Sequence, residues 1–291
     1  MPKVYPDFYP RFRCRAERCR HSCCRGWEID VDAESAAYYR ALPGPLGDAL
    51  RAALTEDDEG FHFSLDAEER CPFLRRDGLC RLICELGVDA LCDICALHPR
   101  FFGNCGSYEL AGLGLSCEAA AALLLETDAP LCFTAGEESF ELDGLLARLS
   151  LFCPAEDLRF APRPDPVRYR RLLEALAETE PIDELWTAEL AALLRGLDDV
   201  LAAARDYAPH YDRGRFDRIF AYILYRQLER LDSVPLPALL AFARDSTEFV
   251  FLCAARSGDP AEALRRWSEQ IEYSTENVER LLNAVKQSGE K

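Results

Sequence analysis

Eleven of the fourteen cysteines lie between Cys14 and Cys117. They open as Cys14-x4-Cys19-x3-Cys23-Cys24 and continue at Cys71, Cys80, Cys84, Cys92, Cys95, Cys105 and Cys117. Spacings of two to four residues let one turn of chain bring sulfurs into a common small volume, as a soft metal ion or an iron–sulfur cluster requires. Adjacent Cys23 and Cys24 are poorly placed to pair with each other, because neighbouring side chains diverge. Residues 1–13 hold no apolar stretch of the kind a secretory leader needs, and the apolar run Ala119–Leu125 is far too short to span a bilayer. The expected setting is therefore cytoplasmic, where thiols stay reduced and metal ligation outranks a disulfide framework.

With 291 residues the chain can bury a sizeable core, so metal is not needed merely to staple a small one. A net charge of −17 disfavours nucleic acid and anionic membrane as partners and suits a neutral or basic protein partner. The charge is uneven. Lys3, Arg11, Arg13, Arg15, Arg18, Arg20 and Arg25 against Asp7 and Glu17 give the first 26 residues +5. Cationic neighbours stabilise thiolates in the direction metal binding requires, although a solvated arginine face is the plain alternative.

Composition separates residues 1–160 from 161–291. The first part carries the cysteines and many turn signals, such as Leu42-Pro43-Gly44-Pro45 and Arg76-Asp77-Gly78, and predicts short, irregular structure. Helices are expected near 33–40, 47–54 and 116–126, a strand near 61–65, and a hairpin from 131–134 and 139–142. Pro154, Pro162, Pro164 and Pro166 mark a linker. Beyond it, three- and four-residue apolar spacing predicts helices near 166–179, 183–206, 214–231, 236–256 and 260–287, the last opened by Asp259-Pro260-Ala261-Glu262. The fold class expected is mostly α: an irregular cysteine-rich metal-binding N-terminal region with short helices and few strands, then a helical C-terminal region.

Four thiolates complete one zinc site or one cubane, so eleven exceed a single site. Cys92-x2-Cys95 has ligand spacing, and the turn between Cys71 and Cys80 returns the chain on itself. Cys84, Cys105, Cys132, Cys153 and Cys253 read as buried small hydrophobes. His21 and His98 sit beside cysteine motifs, where capping and ligation are both open; His62 and His210 do not. Gly112-Leu113-Gly114-Leu115-Ser116 has no convincing strand before it and reads as a tight turn beside Cys117 rather than a cofactor loop.

Together, Phe12-x-Cys14-x4-Cys19-x3-Cys23-Cys24-x-Gly26-Trp27-x-Ile29-x-Val31-Asp32, Cys71-Pro72-Phe73-Leu74-x3-Gly78-Leu79-Cys80, Cys95-x2-His98-Pro99-Arg100 and Leu115-Ser116-Cys117 resemble the flagellin lysine-N-methylases and the wider group with a cysteine-rich iron- or zinc-chelating domain. The resemblance implies methyl transfer from S-adenosylmethionine to lysine ε-amines of a protein with exposed lysines, flagellin among the candidates. It also implies a [4Fe-4S] cluster, with zinc as the alternative metal. Its cysteines carry over onto Cys14, Cys19, Cys23, Cys24, Cys71, Cys80, Cys95 and Cys117, while Cys84, Cys92 and Cys105 are additional.

Amine methylation needs a deprotonated lysine, whose pKa is ordinarily about 10.4. Asp30, Asp32, Tyr38, Tyr39 and Tyr108 are the nearby acids and phenols, of which Asp32, Tyr38 and Tyr108 are taken as the catalytic candidates. Trp27 is a candidate to cover a methyl sulfonium, and Arg100 to pair with the cofactor carboxylate. A non-catalytic zinc or iron–sulfur protein-binding module and an electron carrier explain the thiols as well, and nothing in the sequence sets the oligomeric state.

Overall fold

The computed structural model describes residues 1–289. Composition sets a boundary near residue 160, but the chain divides elsewhere: Arg13–Arg100 forms one unit, and Met1–Phe12 with Phe101–Lys291 the other. The larger unit begins with strand β1 (Lys3–Pro6), is left at Phe12 and is rejoined at Phe101.

The smaller unit holds β2 (Ile29–Val31), helices α1 (Ala33–Ala41) and α2 (Gly44–Ala53), β3 (Leu54–Asp57), β4 (Gly60–Phe63), α3 (Arg81–Leu86) and α4 (Asp93–Leu97). Its three strands form an antiparallel sheet in the order β2-β4-β3, with Ile29 opposite Phe63 and Val31 opposite Phe61. Alternation decides the faces: Ile29 and Val31 are buried and Asp30 between them is exposed. The buried face meets Tyr39, Leu46, Leu50 and Phe73, and Phe63 packs on both Tyr39 and Phe73. Residue 54, expected to end a helix, instead opens β3, and β2 was not foreseen.

The larger unit continues with β5 (Arg100–Cys105), β6 (Tyr108–Leu113), α5 (Glu118–Leu124), β7 (Phe133–Ala135), β8 (Glu138–Phe140) and α6 (Leu142–Arg148). It is completed by α7 (Pro166–Ala177), α8 (Glu184–Arg195), α9 (Leu197–Tyr207), α10 (Arg213–Gln227), α11 (Leu236–Ser257), α12 (Pro260–Trp267) and α13 (Thr275–Gly289). The sheet order is β5-β6-β1-β7-β8; β1 runs parallel to β6 and antiparallel to β7. The chain is mostly α, as its periodicity predicts, and the β7–β8 hairpin lies where expected. The helix expected over 183–206 is broken at Gly196 into α8 and α9, and that over 260–287 is interrupted by a π-helical turn at Ser268–Glu272.

Buried hydrogen bonds fasten β1 and β6 to α10. Arg218, 1% exposed, pairs with Asp7 at 2.9 Å and donates to the carbonyls of Leu124 and Ala129. The Tyr225 hydroxyl reaches the carbonyls of Val4 and Ala111, and the Leu113 N–H donates to the Tyr222 hydroxyl. The proline-rich segment expected to be a linker is part of this core. Phe160 is fully buried, and its N–H donates to Asp217 on α10. Among the described residues no helix is long and apolar enough to cross a membrane.

Candidate metal centre

Local backbone pairing gathers sulfurs from separate stretches of the smaller unit. The Cys71 N–H donates to the Cys24 carbonyl and the Gly26 N–H to the Glu69 carbonyl, zipping the Cys23–Cys24 loop onto the strand-like segment before Pro72. Gly26 takes a positive φ of 79° there, which a side chain would oppose. Next, Leu74 and Cys80 form an antiparallel bridge around the Arg75–Leu79 turn, whose Gly78 also has positive φ. That hairpin returns Cys80 toward Cys71. It is closed by the Asp77 carboxylate, which accepts from the Leu79 N–H and pairs with Arg75.

Cys80 and Cys92 stand at the N-termini of α3 and α4, and Cys95 lies within α4. Asp32 fixes α4. Its Oδ1 caps α1 by accepting from the Ser35 N–H at 2.8 Å, and its Oδ2 accepts from the Asp93 N–H at 3.0 Å. Burial pushes the Asp32 pKa up, yet the N–H groups of Asp93 and Ser35 bring it below its ordinary value. The two oxygens of Asp32, a catalytic candidate from the sequence, are thus engaged in tying α1 to the Cys92–Cys95 helix.

Cys71 and Cys92 are thereby buried in the core of the smaller unit, with Cys24, Cys80 and Cys95 packed against it. The five thiols feel one another electrostatically. Burial, opposed by a backbone hydrogen bond and reinforced by the neighbouring Cys24, Cys80 and Cys92, pushes Cys71 up to about 12. The Cys23 thiol hydrogen bond, working against burial, draws Cys24 down to about 7. Hydrogen bonding between Cys92 and Cys95 lowers the former and, with burial, raises the latter. Sulfurs that raise one another's pKa share a volume in which several negative charges are tolerated only beside a cation. In that respect the donor set fits a soft metal such as iron or zinc. These cysteines share one core, but among the described residues no group of three or more His, Cys, Asp or Glu side chains stands arranged to hold a metal ion.

Cys14 and Cys23 are exposed and Cys19 is half-buried, while Gly78 packs on the Glu17 backbone between Cys14 and Cys19. Cys84 is exposed, contrary to its expected burial, and Cys105 is buried in the core of the larger unit. Cys117, expected among the ligands, also belongs to the larger unit, as the N-cap of α5. Cys92, set aside as additional, is by contrast fully buried with Cys71; its Cys-x2-Cys spacing was the available signal.

Trp27 donates its indole N–H to the Cys23 carbonyl at 2.6 Å and packs edge-on against His98, with ring centroids 5.2 Å apart. The His98 Nε2 is buried without a hydrogen-bond partner, and burial holds its pKa down at about 4. Tyr38 is 45% exposed, whereas Tyr39 is fully buried and donates to the Ala90 carbonyl. Tyr108 is half-buried in β6, and Arg100 opens β5. The glycine run begins in the last two residues of a strand, β6, and precedes a helix, α5, contrary to the expectation of no convincing strand before it. It is nonetheless closed to phosphate: a Cβ on Gly112 would meet the Phe101 ring and the Tyr222 hydroxyl, and one on Gly114 the Tyr273 ring. A cavity of about 780 Å³ between α7, α11 and α13 is lined by none of the candidate site residues.

A mostly helical protein with a thiol-rich core beside short strands is the class these features define. No protein-family model matches the chain, and no solved structure does. Curated proteins do match. The lysine-N-methylase of Salmonella typhimurium is 30% identical over 135 residues, covering 43% of this chain and 33% of that protein. That of Salmonella choleraesuis is 29% identical over 131 residues, with the same coverage. The flagellar biosynthetic protein FliU of Salmonella muenchen is 29% identical over 155 residues, 49% of this chain and 88% of that protein. The chain therefore spans about a third of the length of the lysine-N-methylases that it matches. Over those residues the chain is similar to curated proteins named lysine-N-methylase and to FliU, in line with the resemblance its motifs carry.

Proposed function

We propose that the chain acts in protein lysine methylation, moving a methyl group from S-adenosylmethionine to lysine ε-amines of a flagellin-type protein, with a [4Fe-4S] cluster in its cysteine core. The observation that carries this reading is the convergence of Cys24, Cys71, Cys80, Cys92 and Cys95 on one core in a relative of the lysine-N-methylases. Those five are the residues that would hold the metal, with Cys14, Cys19 and Cys23 on the adjoining loop as further donors.

S-adenosylmethionine supplies, when bound, a methyl sulfonium whose carbon bonds to the amine nitrogen as its bond to sulfur breaks. The chain's own task is to bind a lysine cation and take its proton. The overall charge of −17 attracts such a substrate. Asp32 is committed to backbone donors, which leaves the exposed Tyr38 and the half-buried Tyr108 as proton acceptors of the candidate set. Trp27, hydrogen-bonded at Cys23 and packed edge-on against His98, remains the candidate cover for the methyl sulfonium, and Arg100 is the candidate partner for a cofactor carboxylate.

The test incubates the chain, prepared without oxygen and loaded with cluster, with methyl-labelled S-adenosylmethionine and flagellin. Label on lysine ε-nitrogens is the expected result. A cluster-replete chain that transfers no label to flagellin contradicts the reading.

A further inference from the structure

The 780 Å³ space between α7, α11 and α13 has no part in the chemistry proposed above. It arises from residue size. Ala175 on α7, Ala238 and Ala241 on α11 and Ala284 on α13 all line it, where larger side chains would close the gap between the helices. Ala238, Ala241, Asp245 and Phe249 recur at three- and four-residue steps, so they share one face of α11. The floor is apolar, with Leu176, Phe242 and Phe249 all buried. Concave spaces of about 300–1,000 Å³, mostly apolar with a few polar groups, are the form that small-molecule sites take.

Charge gathers at one end. The Glu180 N–H donates to Asn277, and Arg280 donates to the Glu178 carbonyl, so residue numbers rise along α13 as they fall along α7. That antiparallel course brings Lys286 to the end of the groove where Arg168 and Arg171 stand. Asp245 is engaged with Arg168 at 2.7 Å, yet the Arg168 Nε remains buried without a hydrogen-bond partner. Arg171 and Lys286 are exposed at the rim, with Glu174 the remaining acid of the lining. In a chain of net charge −17 this is a cationic end on an apolar trough.

We infer that the groove binds a long-chain carboxylate, its alkyl chain over Phe242 and Phe249 and its head among Arg168, Arg171 and Lys286. Covering the floor removes apolar surface from water, worth about 25 cal/mol per Å², and a carboxylate offers the guanidinium and ammonium groups charge-assisted hydrogen bonds. S-adenosylmethionine, itself a cation, is a poorer match for that end.

The test titrates the full chain with cis-parinaric acid, whose fluorescence rises in an apolar site, and competes the bound probe with oleate, oleyl alcohol and S-adenosylmethionine. Expected is one saturable site per chain, from which oleate displaces the probe about tenfold better than oleyl alcohol does. Arg171→Glu combined with Lys286→Glu, both at the surface, should weaken oleate about tenfold and leave oleyl alcohol unchanged. Ala241→Trp, which fills the groove, should remove the site while circular dichroism shows the helices intact. Uptake that never saturates, an oleate affinity unmoved by the double charge reversal, or a probe displaced by S-adenosylmethionine and not by oleate would each overturn the assignment.

Discussion

Asp32 is the residue on which a catalytic and a structural role make opposite predictions. Its carboxylate caps α1 through Ser35 and holds the first turn of α4 through Asp93. Removing an N-cap acceptor costs about 1 kcal/mol, and removing a charged acceptor from a backbone N–H about 1.5–3 kcal/mol. Asp93 is exposed, so water recovers part of the second loss. Asp32→Ala should therefore destabilise the smaller unit by about 2 kcal/mol. Asp32→Asn keeps an oxygen for Ser35 but turns an amide toward Asp93, and should cost about 1 kcal/mol. Urea unfolding of the full chain, followed by hydrogen exchange at residues 29–41 and 92–98, measures both. Methyl transfer per folded molecule should change less than twofold in Asp32→Asn. If Asp32→Asn folds as stably as wild type but abolishes transfer, the carboxylate is a proton acceptor and the clamp argument fails.

Gly47→Ala reverses the usual helix preference for alanine. The added Cβ would collide with the Leu42 carbonyl, so thermal unfolding should show a loss of about 1–3 kcal/mol in place of a gain. Arg218→Ala leaves Asp7 and buried carbonyls unmatched, and should cost about 3–5 kcal/mol, read by urea unfolding with exchange protection lost first at Lys3–Pro6. Asp183 accepts from Arg266 and caps α8 at the Trp186 N–H. The Arg266 hydrogen bond, partly opposed by burial, depresses its pKa. Its stabilising contribution is complete above the unfolded carboxylate value of about 3.9 and is lost as pH falls through the lower folded value. Asp183→Asn should flatten that acid limb in a pH series of unfolding free energies; an unchanged slope would refute the assignment.

Where a signal is local, the sequence displays it. The Asp259-Pro260-Ala261-Glu262 start is realised, with the Asp259 carboxylate accepting from the Glu262 N–H. The apolar spacing of Phe216, Phe220 and Leu224 corresponds to the buried length of α10. What it hides is long-range. Val4 pairs with both Leu110 and Ala135, and no periodicity in Lys3–Pro6 announces partners more than a hundred residues away. The prolines of 154–166 suggested a boundary because they stiffen the backbone, but Phe160 between them is an anchor of the core. At the metal centre, spacing alone could not rank eleven cysteines. In the structure Cys24 pairs through its backbone with Cys71, Leu74 pairs with Cys80, Cys92 is buried in the same core as Cys71, and Cys84 stays at the surface.

Iron and sulfide analysis with Mössbauer spectroscopy, on the full chain isolated without oxygen, tests the central claim most directly. The prediction is one [4Fe-4S] cluster per chain, lost in Cys92→Ser and retained in Cys253→Ala. A chain that stays free of metal under those conditions, its core sulfurs all titrating as thiols or paired as disulfides, would contradict it.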